Sequence, residues 1–304
     1  MKKYEFTGET KNHFGVTLHQ IRALVTITGV VSSSDVGGWV AAKKCLSHNG
    51  NAWVYGDAQV YDNARVSGNA QVSGNARVYS NAQVYGNAWV YGDAQVSGYA
   101  LVYDNALVSG NAQVYGNARV SGNARVSGNA QVYGNALVYG DAQVSGYALV
   151  YGDAQVYDNA LVYGNARVSG NARVSGNARV YSNAQVYGDA QVSGYALVYD
   201  NALVSGNARV SGNAQVYSNA QVYGNAQVES IEAICAFSGF GAEFRTTTAF
   251  IDKELGIRIV CGCFTGTLYQ FREKVIETHG EDSKNGKLYL GMANMIELRL
   301  EATK

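Results

Sequence analysis

Histidine and cysteine are the residue types here whose chemistry would be easiest to recognise. The chain holds four of each: His13, His19, His48 and His279, and Cys45, Cys235, Cys261 and Cys263. No histidine falls between residues 51 and 230, so that long stretch carries neither an imidazole base nor an imidazole metal ligand. Cys261-Gly262-Cys263 is the sharpest local feature. On an extended strand residues i and i+2 point the same way, about 7 Å apart at Cα, which is poor geometry for a disulfide. With Cys235 and His279 these two supply the residue types of a zinc site, yet the Cys-x-x-Cys knuckle is missing. Buried core thiols are the plainer reading, and the scattered spacing suits a reducing, cytoplasmic setting. We therefore expect no catalysis, no cofactor and no metal.

The elements that must position these residues are set by a repeat. Residues 51–230 are one hexad, Asn-Ala-x-Val-Tyr/Ser-Gly, with Val at every sixth position from Val54 to Val228 and Ala two residues before each. Unbroken self-similarity of this kind is the mark of a solenoid. In an extended segment Ala and Val share one face, while the residue between them and the Tyr or Ser after Val take the other. The following Gly-Asn, Gly-Asp or Asp-Asn pair tolerates the positive φ of a tight corner. Each hexad is thus a short strand plus a corner, and three close a triangular coil of 18 residues. Ten such coils at about 4.8 Å each would make a rod of about 48 Å. A two-sided coil of 12 residues is the minor alternative.

Composition narrows the partners. Lys+Arg equals Asp+Glu at 23 each, so no broad basic surface exists for nucleic acid. Arg167, Arg173 and Arg179 circle one coil, one per face, and build no stripe for phosphates. A hydrophobic content of 47% is too high for a disordered chain, and no apolar run is long enough to span a membrane. MKKYEFTGETK has two lysines with no apolar core behind them, so no secretory leader is visible. The calcium-binding nonapeptide is absent, and no threonine between 51 and 228 offers an ice-binding array.

The outer face carries 20 of the 23 tyrosines. With an 18-residue turn, Tyr163, Tyr181, Tyr199 and Tyr217 fall in one column, and Tyr115, Tyr133 and Tyr151 in another. Such columns are either neutral ladders over the backbone or material for a protein interface. Trp53 and Trp89 lie two coils apart on one side, which favours a homo-oligomer. The segment GDAQVSGYALVYDNALVSGN stands at both 92–111 and 188–207, with a partial copy from residue 140. These offsets are not multiples of 18, so each copy lands on a different face, and a face-specific active site would not survive such expansion.

A solenoid must hide its terminal coils. Residues 1–50 read as an N-terminal β cap, with strands over Tyr4–Thr10 and Val16–Ile27 and with Trp39, after Gly37-Gly38, covering the open end. Residues 231–304 read as a small α+β domain. Its strands are expected over Ile231–Phe237, Phe244–Ile251 and Ile257–Phe264. Thr267 with Gln270 makes a capping box, opening a helix with Leu268, Phe271, Val275 and His279 at helical spacing. Gly280 ends it, and Lys287–Leu300 forms another with Leu288, Met292, Met295 and Ile296 on one face. This least repetitive region is where specificity is expected, through Phe240, Phe244, Arg245 and Phe264.

The hexad resembles that of left-handed parallel β-helix proteins, among them acyltransferases and γ-type carbonic anhydrases. The left hand is implied by this resemblance, because spacing alone also permits the right-handed coil. Those enzymes use coil histidines, which this chain lacks; a hexapeptide acyltransferase with its base moved to His279 is the competing reading. GVTLHQIRALVTITGVVSSSDVGGWVAAKKCLSHNGNAWVYGDA is similar to the entry module of YdcK-like hexapeptide proteins. The whole chain, VCGCFTGTLYQFREKVIETHG included, resembles phage and prophage proteins of Gram-positive bacteria. Together with the missing catalytic constellation and a 180-residue rod that spaces two dissimilar ends, that resemblance leads us to expect a cytoplasmic, non-catalytic protein that binds a host protein, with antiviral defence as one target. A self-assembling scaffold of the polymer-forming kind is the alternative.

Overall fold

The computed structural model describes residues 2–240 and 245–301 and divides into two compact units, 1–164 and 165–304. The first opens on an antiparallel meander of β1 (Tyr4–His13), β2 (Val16–Ala23) and β3 (Val36–Val40). From there the chain pairs in parallel with itself. β3 lies beside Gln59–Val60, which lies beside Arg77–Val78, and the same sheet continues through Gln95, Gln113, Gln131 and Leu149. Two further parallel sheets start at Trp53–Val54 and Arg65–Val66. Every coil strand is an x-Val dipeptide paired with residues 18 positions away, so the three-sided turn of 18 residues holds and the two-sided coil does not.

The physical reason lies in the hexad. Every Ala and Val of the repeat is essentially sealed from solvent, and x alternates outward. Each buried valine contributes roughly 1.5–3 kcal/mol of apolar burial. Corners take the left-handed conformation at Gly, or at Asp62, Ser80 and Asp104 where glycine is replaced. A Cβ on Gly74 would stand 2.9 Å from the Gly92 carbonyl oxygen, so the corners stack closely only where side chains are absent or small. Beside them, corner amides form ladders. Asn69 donates to Asn87 (2.9 Å), Asn87 to Asn105 (3.0 Å) and Asn105 to Asn123 (3.1 Å). Asn123 then donates to Asp141 (2.8 Å), where the ladder stops because a carboxylate has no N–H to pass on.

At the N-terminal end β3 continues the coil's own ladder: the Trp39 and Ala41 amides each donate at 2.9 Å, to the carbonyls of Ala58 and Val60. Leu46 forms a parallel bridge to Val66 on the next sheet. Gly37 and Gly38 make this flush contact possible, since a Cβ on either would meet Val54 at 2.7 Å. Trp39 does not plug the coil. Its place in register with Gln59 turns it outward, where the Lys11 ammonium sits 4.2 Å from its ring. The plug is Trp53, fully buried with Leu18, Ile21 and Leu46 and met edge-on by Tyr4 at 6.4 Å. The buried Lys3 ammonium donates to the carbonyls of Ala52 (2.6 Å) and Gly50 (3.3 Å). Burial lowers its pKa to about 8.

The second unit holds the remaining coils, among them the three strands that begin at Arg167, Arg173 and Arg179, each on a different sheet. An antiparallel sheet follows: β4 (Ile234–Phe240), β5 (Arg245–Asp252), β6 (Gly256–Cys261) and β7 (Phe264–Thr267), in the order β4-β5-β6-β7. Helices α1 (Leu268–His279) and α2 (Lys284–Glu301) cover one face of it, around Ala249, Ile259, Phe271, Met292, Ile296 and Leu300. The Thr267–Gln270 capping box and the Gly280 stop are both present. The apolar face of α2 differs from expectation. Tyr289, Met292, Ala293, Ile296 and Leu300 are buried, while Leu288 and Met295 are exposed.

The architecture is therefore mainly β: a parallel β-solenoid with an N-terminal β cap and a small C-terminal α+β domain.

Candidate interaction site

The other face of the C-terminal sheet meets the last coil strands. The Gln221 amide donates to Thr248 Oγ1 at 3.0 Å, and the Tyr223 ring meets Phe250 edge-on at 6.4 Å. The Arg258 guanidinium lies 5.0 Å from the Tyr223 ring centre and donates to the buried Asp252 carboxylate at 3.1 Å. Burial pushes the Asp252 pKa up, but the amides of Glu254 and Leu255 and the Arg258 charge outweigh it. The carboxyl sits below its ordinary range. The domain that was expected to supply specificity therefore also closes the coil.

The sequence-derived candidates fall into two groups. Arg245, at the start of β5, and Phe264, at the start of β7, line one cleft of about 240 Å³ with Cys261, Phe271, Lys274 and Tyr289. Phe264 is tilted against Phe271 at 5.5 Å and is partly core. Phe240, ending β4, packs 6.1 Å from Tyr289 beside the same core. Phe244 lies outside the described residues. In the tyrosine column, Tyr199 stacks on Tyr181 at 5.0 Å and on Tyr217 at 5.5 Å, whereas Tyr163 is half-buried in the first unit. Tyr115, Tyr133 and Tyr151 stack at 4.9 and 5.0 Å.

Tyr217 opens onto a second depression of about 320 Å³. Its walls are Gln215, Tyr217 and Ala220 from the coils and Ile234, Cys235, Ala236 and Phe237 from β4, with Ile231 and Arg299 completing it. Burial pushes the Cys235 thiol up to about 11, with Arg299 pulling the other way. Sequence reading had singled out Tyr217 but missed Ile231, Ala236 and Arg299, because only the docking of the sheet brings them beside the coil.

Cys261 and Cys263 do not share a strand, as had been expected. β6 ends at Cys261, and Gly262 (φ 59°) with Cys263 forms the two-residue turn into β7, since Cys261 pairs with Phe264. Cys261 Sγ accepts from Thr247 Oγ1 at 3.0 Å, and Cys263 is exposed. The histidines are dispersed. His279 stacks on Tyr289 at 5.5 Å, His48 on Tyr4 at 4.4 Å and His19 on Phe6 at 4.6 Å. Among the described residues no three His, Cys, Asp or Glu side chains are grouped to hold a metal ion. No helix among them is long and apolar enough to cross a membrane.

Fold and surface together define a β-solenoid repeat protein. Its repeats are similar to one family's in particular. The model described as YdcK Beta solenoid repeat matches residues 58–72, 70–81, 82–98, 100–116, 112–128, 118–131, 130–146, 154–170, 166–182, 172–188 and 202–218. No curated protein matches the chain.

Proposed function

We propose that this is a non-catalytic binding protein of phage or prophage origin. It works in the host cytoplasm by engaging a host protein, with a component of antiviral defence as the leading target class. The observation that carries this reading is where the chemistry-bearing side chains stand. The coils present Gln, Arg, Leu, Ser, Asn and stacked Tyr with no histidine, and the irregular surface gathers on the C-terminal domain. The duplicated segment supports it. Its strands at Gln95, Gln143 and Gln191 lie on three different sheets, and Tyr99, Tyr147 and Tyr195 stand exposed after each. Expansion that scatters its copies over all faces preserves a support rather than a face-specific active site. A rigid support loses little conformational entropy when its end docks. The exposed Trp89, 5.2 Å from Tyr91, supports self-association into a homo-oligomer.

The test is affinity purification of the tagged full-length protein from a Gram-positive host, alongside the surface variant Ile231→Asp/Arg299→Glu. The intact protein should recover a partner that the variant loses. No partner, or equal recovery by both, would refute the reading. Turnover of acetyl-CoA that disappears in His279→Ala would establish the acyltransferase alternative instead.

A further inference from the structure

The C-terminal sheet has an uncovered edge. In the order β4-β5-β6-β7, β4 pairs only with β5, through Ile234–Phe250 to Phe237–Thr247. In an antiparallel pair alternate residues turn their N–H and C=O groups away from the partner strand. Among the described residues no hydrogen bond reaches those outward groups of Ile234–Phe240. Proteins normally blunt such an edge with charge, proline or a short strand. The outer strand of the N-terminal sheet, β1, does so with Glu5, Glu9 and Lys11. β4 reads Ile-Cys-Ala-Phe-Ser-Gly-Phe and has neither charge nor proline, and its only irregularity is a register shift after Phe237.

The depression described above runs along this edge. Successive strand residues point to opposite faces, yet four in a row, Ile234 to Phe237, all line it. Consecutive residues in the lining mean that the groove follows the strand and meets its backbone as well as its side chains. Gln215, Tyr217 and Ala220 form the far wall, so about 320 Å³ lies between coil and edge. A strand added to β4 would run about 4.8 Å from it, on the side where this space opens. Gln215 and Arg299 stand among the apolar side chains of its lining. Its one cation is Arg299, which donates to the Ile231 carbonyl at 3.1 Å and forms no ion pair among the described residues.

We propose that β4 takes up an extended segment of a partner protein as a fifth strand. The segment's main chain pairs with the outward groups of Ile234–Phe237, its alternate apolar side chains rest on Tyr217 and Ile231, and an acidic side chain meets Arg299. Main-chain pairing supplies affinity and the flanking side chains supply selection. This inference rests on the binding role proposed above and names the form of what is bound.

The test uses the full chain and a library of N-acetylated, C-amidated heptapeptides with alternating apolar positions and one Asp or Glu. Selected peptides are then resynthesised with a single N-methyl group at each position in turn. Strand addition predicts a period of two: methylation at alternate residues weakens binding about tenfold, and at the residues between them little. Amide exchange of alternate β4 residues should slow on binding. Arg299→Glu should cost acidic peptides about tenfold, with Arg299→Lys retaining part of the affinity. The proposal is overturned if no peptide binds more tightly than about 1 mM, or if N-methylation shows no alternation. A peptide-free dimer that Ala236→Lys dissolves would also overturn it, since the edge would then belong to a second copy. A host partner captured without competition from these peptides would leave the binding role standing and remove strand addition. Peptide binding without any host partner would do the reverse.

Discussion

The two ends of the repeat are closed in different ways. At the N-terminal end β3 joins the coil's own hydrogen-bond ladder, and Gly37 and Gly38 let it lie flush over Val54. At the C-terminal end the sheet meets the coil mainly through side chains: Thr248, Phe250 and the Arg258–Asp252 pair, with one bridge between Ala226 and Asp252. An end that joins a ladder uses up its strand's edge. The sheet that abuts the coil leaves β4 paired on one side only and without charge, whereas the outer strand of the N-terminal sheet, β1, is blunted by Glu5, Glu9 and Lys11. The difference teaches that capping and recognition need not compete, because one sheet can cover a core with its face and present its side.

Perturbing each end sharpens the contrast. Trp53→Ala should have the largest effect, about 3–5 kcal/mol in urea unfolding, because Trp53 is the buried plug. Trp89→Ala, on the same side but 43% exposed, should cost well under half of that. Arg258→Ala should cost about 2–3 kcal/mol by leaving the Asp252 carboxylate buried without its cation. Because the folded pKa of Asp252 lies below its unfolded value, this stabilisation is present at neutral pH. It is lost as pH falls from about 4 through the folded pKa, and the variant should show a shallower acid dependence. Gly38→Val should cost about 2 kcal/mol, because its Cβ meets the Ala58 carbonyl at 2.7 Å and β3 must lift.

The N-terminal end should respond with the same sign but in the alkaline range. Lys3 titrates at about 8 when folded, from an ordinary 10.5, so the unfolded chain holds the proton longer. Stability of the first unit should therefore rise between about pH 8 and 10.5, and Lys3→Met should flatten that rise in thermal unfolding. The smallest effect should come from the outer columns. Tyr199→Ser removes one stacked ring and should cost about 0.5–1 kcal/mol, while leaving the coil's circular dichroism intact.

The coils were legible from sequence because their physics is local and repeated. Ala and Val at a spacing of two fix the inward face, and Gly, Asp or Ser at the corner fixes the turn. The corner ladders also leave a trace in the sequence, since Asn69 and Asn87 stand 18 apart. The ends were less legible, because burial there depends on contacts distant in sequence. The spacing makes Trp39 the capping aromatic and puts Trp53 on the outer face with Trp89. The structure reverses both, because the register of β3 against Gln59 turns Trp39 outward while Trp53 is fully buried under the cap. The face of α2 was misplaced because Leu288 and Met295 share the spacing of Met292 and Ile296 closely enough to be grouped with them. The turn between Cys261 and Cys263 is not legible in the sequence, because two turn residues at Gly262 leave no signal beyond one glycine. The groove beside β4 had no sequence signal at all, since Ala236, Ile231 and Arg299 are ordinary until the sheet docks.

The contrast between the two ends is tested most directly by residue-resolved amide hydrogen exchange on the intact protein. The amides of Trp39 and Ala41, which donate to Ala58 and Val60, should be protected like those of the coils. Alternate amides within Ile234–Phe237 should exchange orders of magnitude faster, while the residues between them, bonded to β5, remain slow. Uniformly slow exchange along β4, matching β3, would show that its edge is already covered and would contradict the account.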